Sequence, residues 1–194
     1  MQREIYSDYL RLLLGRKLGE LKVVLLSGLP GCGKSTLAEI LQKQYGYKYV
    51  STDIARTDLL KLTKGKYATT EQYLALKEKV YEHVRILAKN FLQQKDMVVI
   101  DATHLNEQLN LTLEFLKRQS CKTDEVLVVY VDGGEKDKVK ARFIQRPGKN
   151  KDGRSWVEAW ETTYDFFVNQ IKEGKVKVPE NKMLGYEVVW VKNC

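Results

Sequence analysis

The residues Gly28-Leu29-Pro30-Gly31-Cys32-Gly33-Lys34-Ser35 set two glycines five positions apart, directly ahead of a lysine and a hydroxyl. That spacing suits chemistry on phosphate. Glycines let the backbone turn its N–H groups inward and approach an anion without a Cβ clash. A helix starting at the lysine would add its positive N-terminal end. On this reading Gly28 through Thr36 bind a nucleoside triphosphate. Lys34 reaches the β- and γ-phosphates, Ser35 binds Mg²⁺, and Thr36 donates to the α-phosphate. Cys32 is read as a filler of the loop.

Three more clusters carry chemistry-bearing residues. Asp53 and Arg56 follow a short apolar run ending in Ser51-Thr52. A carboxylate there can orient an acceptor hydroxyl and take its proton, and an arginine three residues on can hold an anionic group of the acceptor. Asp53 can equally cap a helix, and the two roles are compatible. Val98-Val99-Ile100-Asp101 ends an apolar run on a carboxylate, which places Asp101 beside the Mg²⁺ or its waters. Thr103, His104 and Asn106 follow in the loop and can meet the acceptor. Arg142 and Arg146 lie one helical turn apart, with Arg154 beyond a Pro147-Gly148 break. They suit a clamp on a transferring phosphoryl group, carried by a lid that closes.

These clusters need elements to position them. Leu21–Ser27, Tyr47–Ser51, Met97–Ile100, Val126–Val131 and Tyr186–Val191 read as five strands. Most are continuous apolar runs, as in strands buried on both faces. Between them, helical periodicity runs from about Ser35 to Tyr45, Asp53 to Leu62, Thr70 to Gln94, Glu107 to Arg118 and Lys136 to Gln145. Lys64–Ala68 is a polar loop. Ser155 and Glu158 have capping-box spacing before a helix whose apolar face carries Trp156, Trp160, Tyr164, Phe167 and Ile171. Strands alternating with helices argue a mostly parallel five-stranded sheet in a three-layer α/β/α domain. Residues 21–194 form this domain, with a lid around 136–155. Residues 1–20 are an N-terminal helical extension, amphipathic over 2–18, that pads the sheet or pairs with a second copy.

The composition excludes several classes. Three cysteines, with no Cys-x-x-Cys pair, argue against a disulfide framework or zinc finger and for a reducing, cytoplasmic compartment. The apolar runs Leu12–Leu14 and Val23–Leu26 fall far short of the roughly 20 residues that span a bilayer, and no signal peptide is visible. The net charge of +8 is concentrated: residues 136–154 hold eight basic and two acidic side chains. That suits an anionic partner, and a solvated basic helix is the alternative.

In this order the four clusters resemble the P-loop kinase group that includes the kinase domain of phage polynucleotide 5′-kinase, zeta-type toxins and chloramphenicol phosphotransferase. The resemblance covers about Lys22 to Val191, and rests most on Asp53-x-x-Arg56 and Arg142-x-x-x-Arg146. It implies a P-loop NTPase fold of the nucleoside-kinase-like type with an arginine-bearing lid. It also implies Asp53 as general base, Arg56 as an acceptor-side phosphate contact, and Arg142 and Arg146 as lid arginines on the donor phosphates. The Asp101-Ala102-Thr103-His104 segment looks like the family's Asp-Ala-Thr-Asn, with His104 departing from the asparagine.

The first expectation is therefore an ATP- and Mg²⁺-dependent kinase acting on a hydroxyl, with a nucleic-acid 5′-OH end as acceptor. Lys34, Asp53, Arg142 and Arg146 are its catalytic residues, and Arg56, Asp101, Thr103 and His104 its substrate contacts. Ser35 and Asp101 are its metal ligands. A small hydroxylated metabolite, nucleotide-sugar or antibiotic is the second acceptor class. A nucleotide-binding switch without transfer is a third reading, which has no need of a base and a clamp. The sequence does not separate DNA from RNA or ATP from GTP, although it lacks the Asn-Lys-x-Asp guanine signature.

Overall fold

The computed structural model describes residues 20–62, 70–105, 107–144 and 155–193. The elements in chain order are β1 (Val23–Ser27), α1 (Lys34–Tyr45), β2 (Lys48–Ser51), α2 (Thr52–Leu62), α3 (Thr70–Gln93), β3 (Val98–Asp101), α4 (Glu107–Arg118), β4 (Val126–Asp132), α5 (Lys136–Ile144), α6 (Trp156–Lys172), β5 (Lys182–Met183) and β6 (Tyr186–Lys192).

Alternate residues of β1 point to opposite faces, as the period of a strand requires. Val23 and Leu25 join one buried cluster, with Val80 and Val84 of α3 and Leu109 and Leu113 of α4. Val24 and Leu26 join the other, with Leu37, Ala38 and Leu41 of α1. Helices therefore cover both faces of the sheet, giving the expected three layers. A strand buried on both sides has no polar face to show, which is why β1, β3 and β4 read as unbroken apolar runs.

The strand order is β2-β3-β1-β4-β6-β5. The pairs β2–β3, β1–β3, β1–β4 and β4–β6 are parallel. From β1 the chain moves to β2, returns through β3 on one side and continues through β4 on the other. The carboxyl end of β1 lies at that reversal, where open parallel sheets bind ligands. The register sets Leu26 and Ser51 level with Asp101, so the three strand ends open at one height.

The sheet has six strands, not five, and is mixed. Met183 pairs antiparallel with Tyr186 across Leu184 and Gly185, whose φ angles are +50° and +87°. Two positive φ values in a two-residue connection suit the twist of a tight hairpin. A two-residue strand offers no periodicity to read. The arginine-bearing lid expected at 136–155 is not shown. The described part of that segment is a helix packed on α6 through Val139, Phe143, Trp160 and Tyr164. Arg146 and Arg154, the expected helix over 2–18 and the loop 64–68 lie outside the described residues. No helix among the described residues is long and apolar enough to cross a membrane.

Candidate active site

The glycine-rich segment joins β1 to α1. Gly28, Gly31 and Gly33 have φ of +139°, +84° and +102°, values that side chains disfavour. Gly33 precedes α1 and no side chain caps that helix. The first-turn N–H groups of α1, which a helix never bonds internally, thus have no side-chain cap, and a helix N-terminus of this kind suits an anion. Lys34 is buried and its Nζ donates to the carbonyls of Gly28 and Leu29, both at 2.9 Å. The ammonium lies folded over the loop that the phosphates would enter.

Ser35 and Asp101 meet across the sheet. The Ser35 hydroxyl donates to Asp101 Oδ2 at 2.8 Å. Tyr49 Oη donates to the same oxygen at 2.9 Å. Burial, reinforced by the charge of Asp101, pushes the Tyr49 phenol up to about 12, so it stays a donor at neutral pH. Hydroxyl and carboxylate oxygens are the ligands a hard cation takes, and Mg²⁺ keeps its remaining positions for water and phosphate. Ser35 and Asp101 fit such an ion. Tyr49 was not legible as a site residue: its partner is 52 positions away and its place in a strand is what any β-tyrosine shows.

Asp53 sits in the first turn of α2, but it is not the cap. Ser51 Oγ accepts the N–H of Ile54 at 3.1 Å and takes that role. The Asp53 carboxylate instead accepts from Arg56 Nη1 at 2.7 Å, with the two side chains 85% and 42% exposed. An exposed ion pair of this kind contributes about 0–1 kcal/mol. Either partner can therefore be exchanged for a substrate group at little cost.

The β3–α4 loop braces the phosphate loop from below. Gly28 N–H donates to Thr103 O at 3.1 Å. Ser27 Oγ donates to His104 O at 2.6 Å. His104 has φ +39°, a conformation that Asn, Asp and His tolerate better than most residues. Its ring is fully buried, with Nδ1 3.0 Å from Leu26 O, and Tyr81 packs edge-on at 5.6 Å between centroids. Burial, ahead of any charge, lowers its pKa to about 4. A neutral ring whose Nδ1 donates to Leu26 leaves Nε2 as an acceptor, and that atom has no partner. The side chain offers an acceptor substrate no surface.

Arg142 sits at the other side of the loop. Its guanidinium donates to Gly31 O at 3.3 Å and to Asn193 O at 2.9 Å. Lys136 and Lys140, from the same basic helix, pair with Asp165 and Glu161 of α6 at 2.6 and 2.8 Å. Trp160, which the sequence marks as an apolar helix residue, donates its indole N–H to Pro30 O at 2.9 Å. Asn193 donates Nδ2 to Cys32 O at 2.8 Å. A polar residue just past the last parallel strand is the one sequence signal that points to Asn193.

A family model described as AAA domain matches residues 23–164. A comparison with curated proteins found no match. Among solved structures, a sugar kinase from Janibacter sp. HTCC2649 is 14% identical, with a TM-score of 0.53 over 89% of this chain and 86% of that one. Kti12 of Chaetomium thermophilum, in complex with ADP-AlF3, is 17% identical, with a TM-score of 0.53 over 88% of each chain. A chain of the Pnkp1/Rnl/Hen1 complex is 22% identical over 68% of this chain and 42% of that one, with a TM-score of 0.45. The family match and the first two likenesses show an α/β P-loop kinase-like fold.

Proposed function

The chain belongs to the AAA domain family, and from that premise we propose that it is an ATP-dependent phosphotransferase acting on a hydroxyl acceptor. The observation that carries the reading is the convergence of three strand ends. The phosphate loop follows β1, the exposed Asp53–Arg56 pair follows β2 and the Ser35-bonded Asp101 ends β3, and the register opens these three strand ends at one height. A protein that only bound nucleotide would have no use for the Asp53 cluster.

Each residue has a physical task. Lys34 exchanges the Gly28 and Leu29 carbonyls for the β- and γ-phosphates. Ser35 and Asp101 would hold Mg²⁺, which supplies charge neutralisation on the phosphate oxygens when bound. Asp53 takes the proton of the acceptor hydroxyl as its oxygen forms a bond to the γ-phosphorus. The bond to the bridging oxygen breaks and ADP leaves with that electron pair. Releasing Asp53 frees Arg56 for an anion of the acceptor. Arg142 reaches the donor phosphates only by giving up Gly31 O and Asn193 O, so its first task is on the loop. Arg146 stays the lid arginine of the proposal.

A nucleic-acid 5′-OH end is the acceptor we propose first. It presents a hydroxyl beside a phosphodiester, which matches a carboxylate beside an exchangeable arginine. A specific observation favours a small hydroxylated acceptor instead. Three cations of the basic segment are used inside the protein: Lys136 and Lys140 on α6, and Arg142 on the loop.

Transfer from γ-labelled ATP decides between them. The acceptors are 5′-OH DNA and RNA oligonucleotides beside nucleosides and sugars, with Asp53→Ala as control. Labelled 5′ ends that vanish in the variant support the first acceptor, and label confined to a small molecule supports the second. Bound ATP with no labelled product from any acceptor would sink the transferase reading.

A further inference from the structure

A loop that turns its N–H groups toward phosphate turns its carbonyls outward, where each buried oxygen needs a donor. From Gly28 to Cys32 every carbonyl has a side-chain donor. Lys34 serves Gly28 and Leu29. Trp160 serves Pro30, Arg142 serves Gly31 and Asn193 serves Cys32. The last three donors come from α6, α5 and the residue after β6, between 111 and 161 positions further along the chain. They are tied to one another and to the sheet: Arg142 also donates to Asn193 O, and Asn193 N–H donates to Asp132 O at 2.8 Å. Trp160 is stacked against Phe143 at 5.1 Å and packs on Tyr164 at 4.9 Å. A Cβ on Gly31 would run into Phe143 and lie 2.9 Å from Trp160 Nε1.

We propose that Trp160, Arg142 and Asn193 are positioning residues for the bound nucleotide, acting through the loop carbonyls. When phosphates arrive, Lys34 leaves the first two carbonyls for them. The loop is then held by the three C-terminal donors. They keep the N–H groups aimed inward before the nucleotide binds, so affinity is gained by preorganisation. This assigns Arg142 a task on the loop backbone and makes α5–α6 a brace for nucleotide binding. The inference rests on the nucleotide-binding part of the proposed function and not on its acceptor.

Trp160→Phe keeps an aromatic ring beside Phe143 and Tyr164 but removes the indole N–H together with part of the ring. Asn193→Ala removes the donor to Cys32 without touching the aromatic cluster. Calorimetric Kd values for Mg·ADP, beside melting temperatures without nucleotide, read the effect. Each variant is expected to bind about tenfold more weakly, as for one lost hydrogen bond. KM for ATP should rise with kcat held, a split that general destabilisation does not produce. Wild-type binding with unchanged Kd in both variants would overturn this proposal alone, whatever happens to the melting temperatures. A wild-type protein that binds no Mg·ADP would sink both this proposal and the reading it rests on.

Discussion

Asp101 accepts two hydroxyls on one carboxylate oxygen, from Ser35 and Tyr49, and so fixes the first turn of α1, β2 and β3 to one another. Its type and its place after an apolar run are visible in the sequence, and so are Lys34, Ser35 and Asp53. Tyr49, Trp160 and Asn193 are not, because the side chain of each acts on a partner at least 52 positions away. His104 shows the difference between a residue's position and its task. The resemblance puts it where the family has asparagine, and in this chain its backbone has φ +39° and its ring is buried. Its burial has a pH consequence. The folded ring resists protonation down to about pH 4, while an unfolded one takes a proton below about 6.5. Stability is therefore complete above the unfolded value and falls as the pH drops between the two. The loss from this group is about 2 kcal/mol by pH 5. Urea titrations at pH 7 and 5 should show that drop, and His104→Asn, which tolerates the same backbone, should lack this part of it. Equal drops in the two proteins would contradict the burial argument.

The parallel strands were legible because burial on two faces leaves an apolar run, and the helices because one apolar stripe recurs every three or four residues. The hairpin strand β5 was not, since two residues have no period. The start of α6 was fully legible: Ser155 Oγ accepts the N–H of Glu158, and the Glu158 carboxylate accepts the N–H of Ser155 at 3.0 Å. Ser155→Ala should cost about 1 kcal/mol, read as a lower urea midpoint at unchanged slope. No change would mean that α6 is held by its packing on α5 alone. The basic periodicity of α5 was visible, but its destination was not. Lys136 and Lys140 point at acidic partners on a helix that begins twenty residues after Lys136, a pairing that only the tertiary fold reveals.

At the scale of the molecule, the net charge of +8 suggests a polyanion, while the fold spends part of that charge internally. The two views differ in salt dependence. A 5′-OH oligonucleotide held by two or three phosphate contacts should show log K falling against log salt with a slope of about −2. A slope steeper than about −5 would require a long basic track that the paired lysines argue against, and a flat one would favour a neutral small acceptor. The convergence of strand ends is proposed to perform phosphoryl transfer with Asp53 as its base. Its most direct test is wild type beside Asp53→Asn, with the Kd for Mg·ATP and the single-turnover rate of transfer measured on the same samples. Kd is expected to change less than about threefold, while the rate falls by about 10²–10⁴, the range of general-base contributions. A rate that survives the substitution, with product formed at the wild-type level, would contradict it.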